Sequence, residues 1–351
     1  MENRSGQERQ LNMDLLRILA CFSVIMLHSA AQFWYYLPLL SGNWLIANSY
    51  DAAFRFGVPV FVMLSGRFFL SKEGEVNIKT LYFKNILRLF VLYWVWSIVY
   101  GLWNCRQWMG NGILALEDYV QEILYGRYHL WYLPMQMGLY MLLPVLKGWV
   151  RNSSKKNLEY FLILFVVCQI GLSTIKILPL SGGVLHVMAQ FEVELACSYA
   201  GYFVLGYYLY RYPPCKKARL GLYVCGIAGL FGAAGISVLE TRFKGKGMAT
   251  AFDSYSLFTF FVVVALYVCF QNLKISPKAA GGWLIKELSA DTLGIYLMHL
   301  LMMEFLDGFG IHSMTIGIIL GIPLLAVLCF VICTPVAALL RRIPFVGKYI
   351  C

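Results

Sequence analysis

The segment NMDLLRILACFSVIMLHSA, residues 12–30, decides the fold class of this chain. It is apolar over nearly the length that a helix needs to cross a bilayer, roughly 20 residues, yet it contains Asp14, Arg17 and His28. A helix turns about 100° per residue, so these three side chains share one stripe of one helix. Because an ionisable group at membrane depth costs several kcal/mol, each of the three is a functional candidate.

The spacing of Arg17 and His28 also sets their relative depth. Eleven positions separate them, which corresponds to about 16 Å along a helix axis. We expect Arg17 at the cytoplasmic mouth of the span and His28 in its outer half. A purely structural arrangement is the alternative, with Asp14 and Arg17 as an ion pair and His28 bonded to a backbone carbonyl.

The composition of the whole chain agrees with a membrane protein. Of its 351 residues, 60% are hydrophobic and only 13% are charged, and the mean hydropathy is +0.67. Soluble domains are about half apolar and a quarter charged, so an ordinary soluble enzyme is excluded. We predict an all-α polytopic bundle that forms one domain over 1–351, with a short N-terminus (1–11), spans within 12–339 and a short tail (340–351).

Apolar runs of about 20 residues predict ten transmembrane helices. They lie near 12–33, 52–71, 84–103, 131–149, 158–175, 195–211, 219–239, 255–272, 289–306 and 314–339. Twenty of the 29 Lys and Arg fall in the segments that are inside if the N-terminus is cytoplasmic, and six fall in the outside loops. The positive-inside rule therefore predicts that both termini are cytoplasmic and that the chain is a multi-pass protein of the cell membrane.

The same distribution of charge argues against other partners and sites. The net charge of +11 is scattered in short clusters between apolar runs, so we expect the lipid bilayer and no nucleic acid as a partner. The ten cysteines contain no C-x-x-C pair, so we expect neither a zinc site nor a disulfide framework. No metal ligands are predicted.

Polar residues in other spans are weaker candidates for a substrate site. Asp51 and Arg55 are spaced i,i+4, which is consistent with a local ion pair or with an outer cavity near the depth of His28. Tyr296 and His299 are spaced i,i+3 at mid-depth in the ninth span, where they could share a hydrogen-bonded cluster. No role follows for Arg67 at the end of the second span.

The fourth span opens with HLWYLP, residues 129–134. Its His129, Trp131 and Tyr132 are as consistent with an aromatic belt at the membrane interface as with a substrate site. Both interpretations remain open from the sequence.

Taken in order, these motifs resemble the acyltransferase-3 family of multipass membrane acyltransferases over nearly the whole chain. The features that carry the resemblance are Asp14-x-x-Arg17, Arg17 and His28 with ten residues between, FVMLSG at 61–66, Lys84 and Arg88 opening the third span, HLWYLP at 129–134 and GIYLMH at 294–299. The resemblance implies transfer of an acyl group, often acetyl, from cytoplasmic acyl-CoA to a glycan or lipid-linked sugar, in a bacterial cell membrane. It implies that Arg17 and His28 are essential and that Lys84 and Arg88 are donor-site cations. Some members carry an acidic residue after the tryptophan of the fourth-span motif, where this chain has Gln136 and apolar neighbours.

The mechanism that we expect combines the motif with the chemistry of its residues. Arg17, next to Asp14, would hold the phosphates of acyl-CoA together with Lys84 and Arg88. His28 would act as general base on the acceptor hydroxyl, or less favourably as a nucleophile that forms an acyl-histidine. Acyl-CoA is then a co-substrate, and no permanently bound cofactor is expected.

Two other classes of function are consistent with charged residues inside spans. A transporter or flippase of a small metabolite also uses such charges and broken helices, although its halves commonly show an inversion symmetry that this sequence lacks. A non-catalytic partner in a glycan-synthesis complex would tolerate neutral substitutions at Arg17 and His28.

Overall fold

A computed structural model describes residues 10–108, 113–178, 181–190, 194–276, 281–344 and 347. The structure is 82% helical and has no strand in its described part. The helices are α1 (Leu11–Trp34), α2 (Gly42–Phe54), α3 (Gly57–Ser71), α4 (Leu87–Trp108), α5 (Ile113–Tyr125), α6 (Tyr132–Asn152), α7 (Lys155–Leu164), α8 (Gly182–Ala189), α9 (Glu194–Arg211), α10 (Lys216–Lys244), α11 (Leu257–Asn272), α12 (Gly282–Asp307) and α13 (Ile318–Arg342).

Several helices are preceded or extended by short helical segments. These are Ile78–Thr80 and the π-helix Leu81–Ile86 before α4, the 3-10 turn Tyr128–Trp131 before α6, the π-helix Phe165–Gly171 with Leu172–Ile175 after α7, and the 3-10 turn Thr250–Phe252 before α11. Helix starts follow ordinary capping chemistry: the hydroxyl of Ser41 accepts from the backbone N–H of Trp44, and that of Ser256 accepts from the N–H of Thr259.

Seven helical stretches in the described part are long and apolar enough to cross a membrane. They are Leu11–Trp34, Gly42–Ser71, Ile78–Asn104, Lys155–Ile175, Lys216–Lys244, Thr250–Asn272 and Ile318–Arg342. The three other expected spans correspond to α6, α9 and α12, which have 21, 18 and 26 residues. The all-α polytopic bundle is confirmed, while the count of ten spans and the cytoplasmic termini stay predictions.

The second span begins earlier than its apolar run suggests. Its helical stretch starts at Gly42 rather than near residue 52, and it is divided between α2 and α3 at Arg55 and Phe56. A side chain at Gly57, just after the break, would meet the Ser23 hydroxyl at 2.5 Å and the Ala20 carbonyl at 2.7 Å. The glycine therefore lets the start of α3 pack directly against α1.

The backbones of α3 and α9 touch where these helices cross. A side chain at Gly66 would collide with the carbonyl of Phe203, and one at Gly206 would collide with that of Met63. Small residues allow this close approach, which drives helix association inside a bilayer. Packing thus accounts for the glycine of the FVMLSG motif.

Helices α1 and α12 run in the same direction through the bundle. Near the N-terminal end of each, Ser289 donates a hydrogen bond to Asp14 at 2.7 Å. Further along both, the rings of His28 and His299 have centroids 5.1 Å apart. Spans one and nine must be parallel if successive spans alternate in direction, and these contacts agree with that requirement.

Buried side chains form two large clusters. One centres on α3, α6, α7, α9 and α11, and the other joins α1, α2, α4, α12 and α13. Helix α1 belongs to both, since Leu16 lies in the first cluster and Ile25 in the second. The first half of α1 therefore packs in one cluster and its second half in the other.

Arg67 has a structural explanation. Its guanidinium donates to the side chain of Gln10 and lies 4.3 Å from the ring centroid of Tyr210. It therefore ties the residue before α1 to α3 and α9.

Candidate active site

Three histidines from distant parts of the chain meet in the bundle. His28 belongs to α1, His129 to the 3-10 turn before α6, and His299 to α12. Ring centroids of His28 and His299 are 5.1 Å apart, and those of His129 and His299 are 5.2 Å apart. His129 and His299 are buried, whereas His28 is partly exposed. His28 is therefore the most exposed member of this histidine cluster.

His129 is the residue whose role the sequence left open. The structure places it in the histidine cluster and leaves it 2% exposed, so the interface-belt interpretation does not apply to it. The signal that could have indicated this is its position at the outer end of the fourth span, the depth expected for His28.

Tyrosines fix the geometry around the cluster. The hydroxyl of Tyr296 donates to the backbone carbonyl of His129. The hydroxyl of Tyr100 donates to the carbonyl of Leu297 at 2.8 Å, and its ring lies 5.1 Å from that of His129. Tyr296 was expected in such a cluster, but Tyr100 was missed, because it lies in an aromatic-rich run where no periodicity distinguishes it.

The hydrogen bond of His299 defines its tautomer. Its Nδ1 lies 2.5 Å from the carbonyl oxygen of Tyr296. A carbonyl only accepts, so Nδ1 carries the hydrogen and Nε2 of the neutral ring keeps its lone pair. Neither this Nε2 nor either ring nitrogen of His129 has a partner of ordinary hydrogen-bond geometry among the described residues. The cluster thus holds unprotonated, buried basic nitrogen atoms.

At the inner end of the stripe, Asp14 and Arg17 form the expected ion pair. A guanidinium nitrogen of Arg17 lies 3.9 Å from Asp14 Oδ1, which also accepts from Ser289 at 2.7 Å. The Asp14 side chain is buried, whereas that of Arg17 is 39% exposed. Asp14 therefore anchors an arginine whose charge remains accessible.

The expected donor-site cations are brought together in part. Arg17 and Arg88 both lie within electrostatic range of Tyr140 on α6. Arg88 is half-buried near the start of α4, and Lys84 is exposed in the π-helix that precedes it. Gln136, at the position where some family members carry an acid, is buried one turn before Tyr140. Arg17 on α1 and Arg88 on α4 thus both lie near Tyr140 of α6.

Asp51 and Arg55 form the local ion pair that their spacing predicts, and their part in an outer cavity stays a prediction. Arg55 binds the carboxylate of Asp51 through two hydrogen bonds, of 2.6 and 2.7 Å. Its guanidinium carbon also lies 5.1 Å from the ring centroid of Phe252, and Arg55 lies near His28. The pair is local and lies beside the histidine cluster.

The side chains of Trp131 and Tyr132 join different aromatic groups, although the two residues are adjacent in sequence. The ring of Tyr132 lies 5.5 Å from that of Tyr296, so Tyr132 joins the cluster. Trp131 is 43% exposed and packs against Tyr199 at 5.7 Å, next to a separate group of tyrosines. Only Tyr132 of the two extends the histidine cluster.

A cavity of about 230 Å³ lies between α4, α12 and α13. Its lining is apolar: Trp96, Trp103, Met298, Leu301, Met302, Phe305, Cys333 and Val336. It offers no charged group to bind phosphates. Within the described ranges, no three His, Cys, Asp or Glu side chains are arranged to hold a metal ion.

Fold and site together define a polytopic membrane protein with a histidine cluster and an accessible arginine on one helix. Residues 10–342 match the model of the acyltransferase-3 family, described as an acyltransferase domain. The chain belongs to this family of membrane acyltransferases. Neither curated proteins nor solved structures give a match.

Proposed function

We propose that this protein moves an acyl group, most simply acetyl, from cytoplasmic acyl-CoA to a hydroxyl of a surface or lipid-linked glycan. The observation that carries the proposal is the α1 stripe, which has the accessible Arg17 at one end and the partly exposed His28 in the histidine cluster at the other. We place the protein in the cell membrane of a bacterium.

The cations suit the acyl donor. Arginine presents a planar fork that matches phosphate oxygens, and lysine adds a flexible point charge. Arg17 and Arg88 both lie near Tyr140, and the exposed Lys84 stands four positions before Arg88. Along α1, about 16 Å separate Arg17 from His28. The pantetheine arm of acyl-CoA is a long flexible chain, so its phosphates would stay at the inner end while its thioester approaches His28.

His28 would act as general base. As the acceptor oxygen attacks the thioester carbonyl, His28 takes the hydroxyl proton, the new C–O bond forms and the C–S bond breaks. The proton on His28 then passes to the departing thiolate, which leaves as CoA thiol. An imidazole suits both transfers because its ordinary pKa lies near neutrality. In the less favoured variant, His28 itself takes the acyl group before the sugar does.

The acceptor would approach from the outer side of the cluster. Tyr128, 60% exposed, has its ring 5.5 Å from that of His28. The pair of Asp51 and Arg55 offers charged hydrogen-bonding groups close by, and the exposed Trp131 offers an aromatic face. Such a mixture of hydrogen-bonding and aromatic groups suits the hydroxyls and the apolar face of a sugar. Tyr132, Tyr296 and His299 would line the deeper part.

Transport of a small metabolite without chemistry is the second candidate. The break of the second span at Arg55 and Phe56, inside the helical stretch Gly42–Ser71, favours it, since discontinuous helices carry the binding sites of many transporters. Transport alone would leave glycan masses unchanged.

Mass spectrometry of surface glycans separates these functions. The samples are cells with the wild-type gene, with a deletion, and with His28→Ala produced in folded form. We expect an ester-sized mass in the wild type that is lost in the other two. Identical glycan profiles in all three would contradict acyl transfer to surface glycans.

A further inference from the structure

We infer that His299 is a positioning residue for His28: its Nε2 accepts an N–H hydrogen bond from the His28 ring and thereby selects the His28 tautomer that acts as base. The inference rests on the proposed function, which it deepens. It assigns a specific role to a histidine that stands in the ninth span, far from His28 in the chain.

The ring of His299 is held from several sides. Its Nδ1–H is bonded to the Tyr296 carbonyl at 2.5 Å. Its own carbonyl accepts from the thiol of Cys329 at 3.3 Å, which joins this point of α12 to α13. The side chain is fully buried. The ring is therefore a fixed acceptor rather than a mobile one.

Its Nε2 is an acceptor without a donor. This atom is buried and has no partner in the described part of the chain. An unsatisfied buried acceptor destabilises the fold, so a donor that reaches it is stabilising. Two rings are close enough to donate to it. The ring centroid of His299 lies 5.1 Å from that of His28 and 5.2 Å from that of His129.

His28 is the better donor of the two. A linear N–H···N bond of about 2.9 Å between two imidazoles places their centroids about 5 Å apart. The planes of His28 and His299 are inclined by only 34°, whereas those of His129 and His299 stand at 86°. His28 is also partly exposed, whereas His129 is 2% exposed.

The consequence for catalysis is a fixed tautomer. With one N–H of His28 directed at His299, the hydrogen is absent from the other nitrogen, which is then free to take the acceptor proton. When His28 becomes protonated, the same hydrogen bond stabilises the charged ring. In this arrangement a third group orients the general base, and here that group is the neutral imidazole of His299.

Two substitutions separate this role from a structural one. In His299→Gln the side-chain oxygen stands near the place of Nε2 and still accepts, whereas in His299→Asn the amide stands near the place of Nδ1 and preserves the bond to Tyr296. We expect His299→Asn to lower kcat about 10- to 100-fold, the size typical of losing a residue that orients a histidine. We expect His299→Gln to retain most of kcat, with KM for acetyl-CoA unchanged in both.

The assay uses the full chain in native membranes that contain the acceptor. Acetyl-CoA is the donor, and the CoA thiol that is released is detected. Folding of each variant is checked by thermal unfolding in detergent. Retention of activity by His299→Asn, or equal losses in the folded Asn and Gln variants, would overturn the inference while leaving acyl transfer intact.

A readout that needs no activity completes the test. The chain has only five histidines, so ¹⁵N-histidine labelling gives a simple NMR spectrum in lipid bilayers. We expect His28 to populate one neutral tautomer in the wild type and a mixture in His299→Asn. An unchanged His28 tautomer would overturn the inference even if the proposed acyltransferase activity failed.

Discussion

The rings of His28 and His299 stand 5.1 Å apart between centroids, on two helices that run in the same direction. The first and the ninth expected spans therefore build one site. Because each ring is held by its own helix, the distance between them depends on how α1 packs against α12. A small change in that packing should alter the catalytic rate before it unfolds the protein.

The arginine at the inner end of the stripe is expected to act on the acyl donor. Arg17→Lys keeps the charge but loses the planar fork, so we expect KM for acetyl-CoA to rise about 10-fold, the effect of losing about 1.4 kcal/mol of binding. Steady-state kinetics in membrane vesicles measure it. Arg242→Lys is the matched control, since Arg242 is exposed at the end of α10. An unchanged KM in Arg17→Lys would contradict the donor role.

Tyr100 is expected to stabilise the framework behind His129. Its hydroxyl donates to the Leu297 carbonyl and accepts from the Leu301 N–H. Tyr100→Phe leaves these buried groups short of a partner, so we expect a loss of about 1–3 kcal/mol in the free energy of unfolding.

The control for Tyr100→Phe is Tyr82→Phe, because Tyr82 is largely exposed. Unfolding in mixed micelles measures both variants. Equal stability of the two would show that the Tyr100 hydroxyl is not a structural contact.

The crossing of α3 and α9 should not tolerate a methyl group. Gly66→Ala introduces a clash with the Phe203 carbonyl, and overpacking of this kind costs about 1–3 kcal/mol. Gly221→Ala is the matched control on α10, where nothing lies within 4 Å of the added carbon. We expect thermal unfolding at a lower temperature for Gly66→Ala only. Equal melting temperatures would mean that the backbones do not touch.

Asp51 and Arg55 are expected to be strongly coupled. Breaking a buried ion pair costs about 3–5 kcal/mol, and we expect about 1–3 here because the Arg55 side chain is 32% exposed. A double-mutant cycle with Asp51→Ala and Arg55→Ala measures the coupling in the free energy of unfolding.

The exposed pair of Lys155 and Glu159, also spaced i,i+4, is the control for this cycle. Its coupling should stay below about 1 kcal/mol. A coupling for Asp51 and Arg55 as small as that of the control would contradict a protected pair beside His28.

The sequence predicts well the features that depend on a single helix. The stripe of Asp14, Arg17 and His28 follows from helix periodicity alone, and the apolar runs place the spans because each must match the bilayer. The contact that Gly57, just after the break at Arg55 and Phe56, makes with α1 depends on helix packing and does not follow from the sequence.

What the sequence does not predict depends on helix packing. The histidine cluster forms where three elements meet. The spacing of residues within one span does not show that His129 and His299 lie beside His28. Tyr100 was missed because it lies in an aromatic-rich run where no periodicity distinguishes it. Trp131 and Tyr132 looked equivalent in the HLWYLP motif, yet the turn before α6 sends their rings to different aromatic groups.

The central claim is that His28 is required for the transfer of an acyl group from acyl-CoA. The most direct measurement uses inside-out membrane vesicles, in which the cytoplasmic face is accessible, and follows label from acetyl-CoA into glycan. Wild type and His186→Ala, a change at an exposed histidine of α8, should transfer label equally, while His28→Ala and His28→Gln should transfer none above vesicles that lack the protein. Full transfer by both His28 variants would contradict the account.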